Sequence, residues 1–142
     1  MASPVFSIVK SFPSPPTSNN NNINYRGTVS ISDNATPYTF KIPLQKDAVT
    51  ILNIITIVTN LTTLKTYVRQ HQFIAKYLTS IPEANYEYAD LLDYEDASVN
   101  ISGMKYGISG DNCLLVTVAN TNNVVADTIK WIVDVTATIC RV

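Results

Sequence analysis

The run from Thr128 to Val142 constrains the fold more than any other part of the chain. Trp131, Val133, Val135, Ala137 and Ile139 alternate with Lys130, Ile132, Asp134, Thr136 and Thr138. A period of two places the first set on one face of a sheet and the second set on the other. A helix would scatter the same residues around its axis. The segment therefore reads as a long β-strand with Trp131 to Ile139 facing a core.

The same pattern recurs upstream. Leu114, Val116 and Val118 point inward from a strand between the turn Gly110-Asp111-Asn112 and the loop Asn120 to Asn123. Val29 and Ile31 alternate with Thr28, Ser30 and Ser32. Tyr38, Phe40, Ile42 and Leu44 alternate with Thr39, Lys41 and Pro43, and Pro43 marks an edge position or a strand end. Val49 to Leu61 is a longer β-rich run, and Val99 to Ile108 reads as a strand with Gly103 as a bulge or kink. Thr62 to Ser80 fits both periods; its all-strand neighbours favour a short helix near Leu61 to Lys65 followed by a long strand. Ser80-Ile81-Pro82-Glu83 has the form of a helix start, so a second short helix is expected within 82 to 95.

About eight strands at short spacing, separated by turn signals, mean a sandwich or barrel. The expected fold is all-β: an eight-stranded antiparallel jelly-roll β-sandwich with one or two short helices. A chain of 142 residues fits one such domain and can bury a core without staples. Residues 1 to 27 differ from the rest. Val5, Phe6, Ile8 and Val9 form an apolar patch, followed by Phe12-Pro13-Ser14-Pro15-Pro16 and the run Asn19 to Asn22. Prolines and asparagines at this density oppose a regular ladder. The division expected is an extended N-terminal arm over 1–27 and a jelly-roll domain over 28–142.

Charged residues make up only 15% of the chain, and the net charge is −1, which argues against a strongly basic nucleic-acid binder. A surface so poor in charge suits one covered by partners. Cys113 and Cys140 form no Cys-x-x-Cys pair, so two reduced, half-buried thiols are expected. The first ten residues lack the apolar core of a secretory leader, and Val49 to Val58 is too short to span a bilayer. A protein made in a reducing cytoplasm, with no membrane partner, is the expectation.

Asp90-Leu91-Leu92-Asp93-Tyr94-Glu95-Asp96-Ala97, then Leu114 to Asn120, then Thr128 to Ile139 carry a resemblance. They resemble the closing strands of coat proteins of small icosahedral RNA viruses, tymovirus-like or satellite-virus-like. Thr59-Asn60-Leu61-Thr62-Thr63-Leu64-Lys65-Thr66-Tyr67-Val68-Arg69 is similar to the helix-then-strand passage of such coats. The likeness spans roughly 28 to 142 and is a pattern of strands rather than a catalytic signature. It implies a structural protein that assembles with copies of itself into a capsid enclosing the genome, located in the virion. Many such coats carry a basic arm, whereas residues 1 to 27 hold only Lys10 and Arg26. Those two are the candidates for contact with viral RNA. The other class kept open is a β-sandwich binding module, lectin-like or a TNF-like trimer, recognising a carbohydrate or protein.

His71 is the sole histidine, and no Gly-x-Ser-x-Gly or phosphate-loop motif accompanies it. It is read as a hydrogen-bonded strand histidine, and no enzyme activity or catalytic residue is assigned. Glu83, Glu87, Asp90, Asp93, Glu95 and Asp96 form the one charge cluster. Asp90, Asp93 and Asp96 are the candidates for Ca²⁺ between subunits, because a hard cation takes several oxygens; no resident cofactor is otherwise expected. Tyr86, Tyr88 and Tyr94 flank the cluster, and with Val5 and Phe6 they are the candidate subunit contacts.

Overall fold

A computed structural model of the chain describes residues 8–13, 22–32, 37–80, 83–95, 104–120 and 128–142. Nine strands run through them: β1 (Ile8–Ser11), β2 (Asn22–Ile31), β3 (Tyr38–Pro43), β4 (Ala48–Asn60), β5 (Thr66–Tyr77), β6 (Asn85–Glu95), β7 (Lys105–Ile108), β8 (Cys113–Val118) and β9 (Ile129–Arg141). They form two sheets, one in the order β2-β9-β4-β5-β6 and one in the order β1-β3-β8-β7. Every pairing is antiparallel except β1 with β3. The fold class is therefore the one expected, an all-β sandwich, with β1 as an added parallel edge strand.

The inward sets also match. Trp131, Val133, Val135, Ala137 and Ile139 are buried, as are Leu114, Val116 and Val118. β9 sits between β2 and β4, so both of its edges are paired. Along β4 every second residue from Ala48 to Asn60 is buried and the alternate residues are half-buried. Pairing of β2 with β9 and β3 with β8 rolls the first strands onto the last. β4, β5 and β6 then continue one sheet as a meander.

Two expectations are corrected. Residues 61 to 65 make a turn, not a helix. Asn60 Oδ1 accepts from the amides of Thr62 and Thr63, at 2.9 and 3.2 Å, and the Leu64 amide reaches the Asn60 carbonyl. Leu64 then takes φ of 61°, a left-handed conformation that stops any helix after one turn. Residues 85 to 95 are a strand, not a helix, because β5 supplies backbone partners from Tyr67 to Lys76, interrupted only by a register shift at Gln70/His71. No described residue is helical.

The expected arm boundary also moves, since β2 starts at Asn22 and pairs from there with Thr138. Phe12 is buried, stacked on Tyr25 at 5.1 Å and on Phe40 at 6.0 Å. Gly27 lies under Phe40, and a Cβ there would overlap the Phe40 ring. The cysteines are both free, with Cys113 buried and Cys140 exposed rather than both half-buried. Burial raises the Cys113 thiol above its ordinary value.

Candidate functional site

Edge strand β6 is where the chemistry-bearing side chains gather. It pairs with β5 on one side and with no described strand on the other. Its register places Tyr86 opposite Ala75, Tyr88 opposite Phe73 and Asp90 opposite His71. The ladder then shifts at Gln70/His71, so that Leu92 lies opposite Gln70 and Leu91 is the extra residue of a bulge. Asp93 follows opposite Arg69, and Glu95 opposite Tyr67.

His71 is only 2% exposed, yet both ring nitrogens are engaged. Nε2 donates to a carboxylate oxygen of Asp90, and in the neutral imidazole Nδ1 then accepts from the Tyr106 hydroxyl. Burial pulls its pKa below the ordinary histidine value; Asp90 opposes that shift without reversing it. Tyr106, from β7 of the other sheet, is pushed well above the usual phenol value by burial. The cluster thus links the two sheets through one imidazole. Asp90 keeps its other side in water, with 67% of its side chain exposed.

Aromatic rings surround this link. Phe73 and Tyr88 stack at 5.1 Å, Tyr106 meets Phe73 edge-on at 4.7 Å, and Tyr86 lies beside Tyr88 at 6.3 Å with their planes 19° apart. Further along, the Tyr67 hydroxyl donates to Asp93 Oδ1 at 2.6 Å, and Arg69 pairs with Asp93 at 3.6 Å. Burial comes first among the causes that raise Tyr67, with the Asp93 bond second. Thr56 Oγ1 and Arg69 Nε, on cross-strand neighbours, are buried with no hydrogen-bond partner among the described residues.

Several residues singled out from the sequence meet here. Tyr86, Tyr88, Asp90 and Asp93 share the inner face of β6, while Tyr94 stands opposite Val68 on the outer face. Asp90 is bound to His71 and Asp93 to Tyr67 and Arg69, so these candidate metal ligands each have a protein partner. Among the described residues, no group of three or more His, Cys, Asp or Glu side chains converges as a metal site. Asp96, Val5 and Phe6 lie outside the described residues. Lys10 belongs to β1, opposite Phe40. Arg26 lies on β2 at the far edge of the same sheet, held by Asp134 through two bonds at 2.6 and 2.7 Å.

Leu91 and Leu92 were not singled out from the sequence. Together with Tyr88 and Tyr94 they leave about half of their surfaces in solvent, at 48 to 53%. Their signal was the apolar pair in the middle of an acidic run. The bulge decides which of the two leaves the ladder, and a bulge has no mark in the sequence here. An open depression of about 500 Å³ lies elsewhere, beside Lys41, Lys46, Tyr77 and Asp111. It holds no comparable cluster of interlocked polar and aromatic groups.

No protein-family model matches this chain. No curated protein matches it either. Among solved structures, it is similar to the tailspike protein of Acinetobacter baumannii phage AM24, at 12% identity and a TM-score of 0.43, over 86% of this chain and 26% of that one. It is also similar to the tailspike protein gp49 of Acinetobacter baumannii bacteriophage Fri1, a capsular polysaccharide depolymerase, at 17% identity and a TM-score of 0.30, over 82% of this chain and 19% of that one. The chain therefore spans about a quarter or less of either tailspike. A likeness at this level says nothing of what this chain binds or does.

Proposed function

We propose that this chain is a structural subunit that assembles with copies of itself, as the coat of a small icosahedral viral capsid enclosing its genome. One observation carries the reading: among the described residues β6 is a long edge with no strand on its outer side, and Tyr88, Leu91, Leu92 and Tyr94 along it are all about half-exposed. Soluble monomers shorten, charge with lysine or cover such an edge, because it templates pairing with another chain. β6 has eleven residues and no lysine, and its four carboxylates and single bulge leave four large apolar or aromatic side chains about half-exposed along it. Exposed apolar residues gathered on one edge strand, Leu92 and Tyr94 on its outer face and Tyr88 on its inner face, mark an interaction surface. The low overall charge fits a shell held by protein–protein contacts that grips RNA only weakly.

Negative-stain microscopy of the purified full chain tests this. The expected result is closed particles of uniform size. Absorbance ratios before and after nuclease treatment then report whether nucleic acid is enclosed. A monodisperse monomer at every concentration, pH and salt would overturn the assignment.

A second reading rests on a different observation. Half-exposed Tyr88 stacks on the buried Phe73, with Tyr86 beside it and Asp90 next along the strand. Aromatic faces beside carboxylates suit the apolar face and hydroxyls of a sugar. Under this reading the chain is a β-sandwich carbohydrate-binding module. A glycan array with wild type and Tyr88→Ala separates the two. Specific glycan binding lost in the variant supports the module, and no binding by wild type excludes it.

A further inference from the structure

β2 and β6 are the two edges of the same five-stranded sheet. They are nearly equal in length, at ten and eleven residues. Among the described residues neither has a strand on its outer side. Their charges differ in sign. β5 and β6 together hold the cations Arg69 and Lys76 against the four carboxylates Glu87, Asp90, Asp93 and Glu95, with His71 neutral. β2 and the stretch of β9 that it pairs with, Ile129 to Thr138, hold Arg26 and Lys130 against the single carboxylate Asp134. Each edge also keeps half-buried apolar groups on its inner face, Tyr25 and Val29 at one and Tyr86 at the other.

We infer that β6 of one copy docks beside β2 of the next, so that the five-stranded sheet continues from subunit to subunit. This deepens the self-assembly reading and rests on it. Pairing β6 with a second β6 would set four carboxylates against four, and like charges facing each other across strands are destabilising. Pairing with β2 removes that repulsion and joins a net negative edge to a net positive one. Strand directions alternate across the sheet, so β2 and β6 run the same way. A copy added in the same orientation therefore forms a parallel junction. Such a contact uses two different patches. It closes into rings where the rotation per subunit allows and runs on as a filament where it does not.

The test uses exposed positions in the full chain. Glu87→Lys with Glu95→Lys makes the β6 edge positive, and Thr28→Glu with Ser30→Glu makes the β2 edge negative. Sedimentation velocity reads assembly, and circular dichroism confirms that each variant is folded. Each edge variant alone should need about tenfold or more protein to assemble. Mixed in equal amounts they should co-assemble near the wild-type concentration, because the reversed β6 edge then faces the reversed β2 edge and the two unreversed edges face each other, each contact joining opposite signs. The inference is overturned if wild type assembles and either variant assembles equally well, or if the β2 variant still forms dimers through β6. Wild type that stays monomeric throughout would instead overturn the self-assembly reading itself.

Discussion

Trp131 Nε1 donates a hydrogen bond to Asn120 Oδ1 at 3.0 Å, and the Asn120 amide donates in turn to the Ile31 carbonyl at 2.8 Å. All three residues are buried. Asn120 follows β8 in one sheet, whereas Trp131 and Ile31 belong to β9 and β2 in the other, so one amide ties the layers together. Asn120→Leu leaves an indole N–H and a backbone carbonyl buried and unpaired. A loss of about 2 to 6 kcal/mol is expected, at about 1 to 3 for each group. Urea unfolding monitored by Trp131 fluorescence measures it.

Gly27 makes the second cross-layer contact. Phe40 packs so closely over it that a methyl group has no room. Gly27→Ala should therefore destabilise by about 1 to 3 kcal/mol through overpacking. Adding Phe40→Leu should return part of that loss, because the smaller side chain makes room. A double-mutant cycle that shows simple additivity would contradict the contact.

The His71 link predicts a pH dependence. Its native pKa lies below the unfolded value of about 6.5, so the unfolded chain binds the proton more readily. Stability is then complete above about pH 6.5 and falls as pH drops from there through the native value. Asp47, Asp111 and Asp134 are each lowered by hydrogen bonds, so their contributions are lost further down, below about pH 4. His71→Phe should abolish the upper phase and leave the lower one. Denaturant midpoints from about pH 7.5 to about pH 3 resolve the two.

Hydrogen exchange should grade across the sheet. β9 is paired on both sides and its inner row from Trp131 to Ile139 is buried, so its amides should exchange slowest. Outward amides of β6 should exchange fast at low protein concentration and slow down as the protein assembles. Uniform exchange along β6 at all concentrations would contradict its role as a docking edge.

The strands were legible in the sequence where one face is buried and the other is not. β9 and β8 announce themselves because Val133, Val135, Leu114 and Val116 must all face one core. β6 did not, because nearly all of it is exposed, and a strand exposed on both faces has no hydrophobic period to read. Its capping-box start and acidic run imitate a helix. Tyr86, Tyr88, Asp90 and Asp93 were recognised by residue type, but their partners were not. Tyr106 and Arg69 reach the cluster only through sheet stacking and a bulge, which no local pattern encodes. His71 was read as a hydrogen-bonded strand residue, and its two bonds place it there.

The role proposed for β6 turns on whether free subunits associate. Light scattering after size-exclusion chromatography, over a wide range of protein concentration, measures this directly. The prediction is a mass that rises with concentration to a large, discrete assembly. A constant mass of one chain, 15.7 kDa, at every concentration would contradict it.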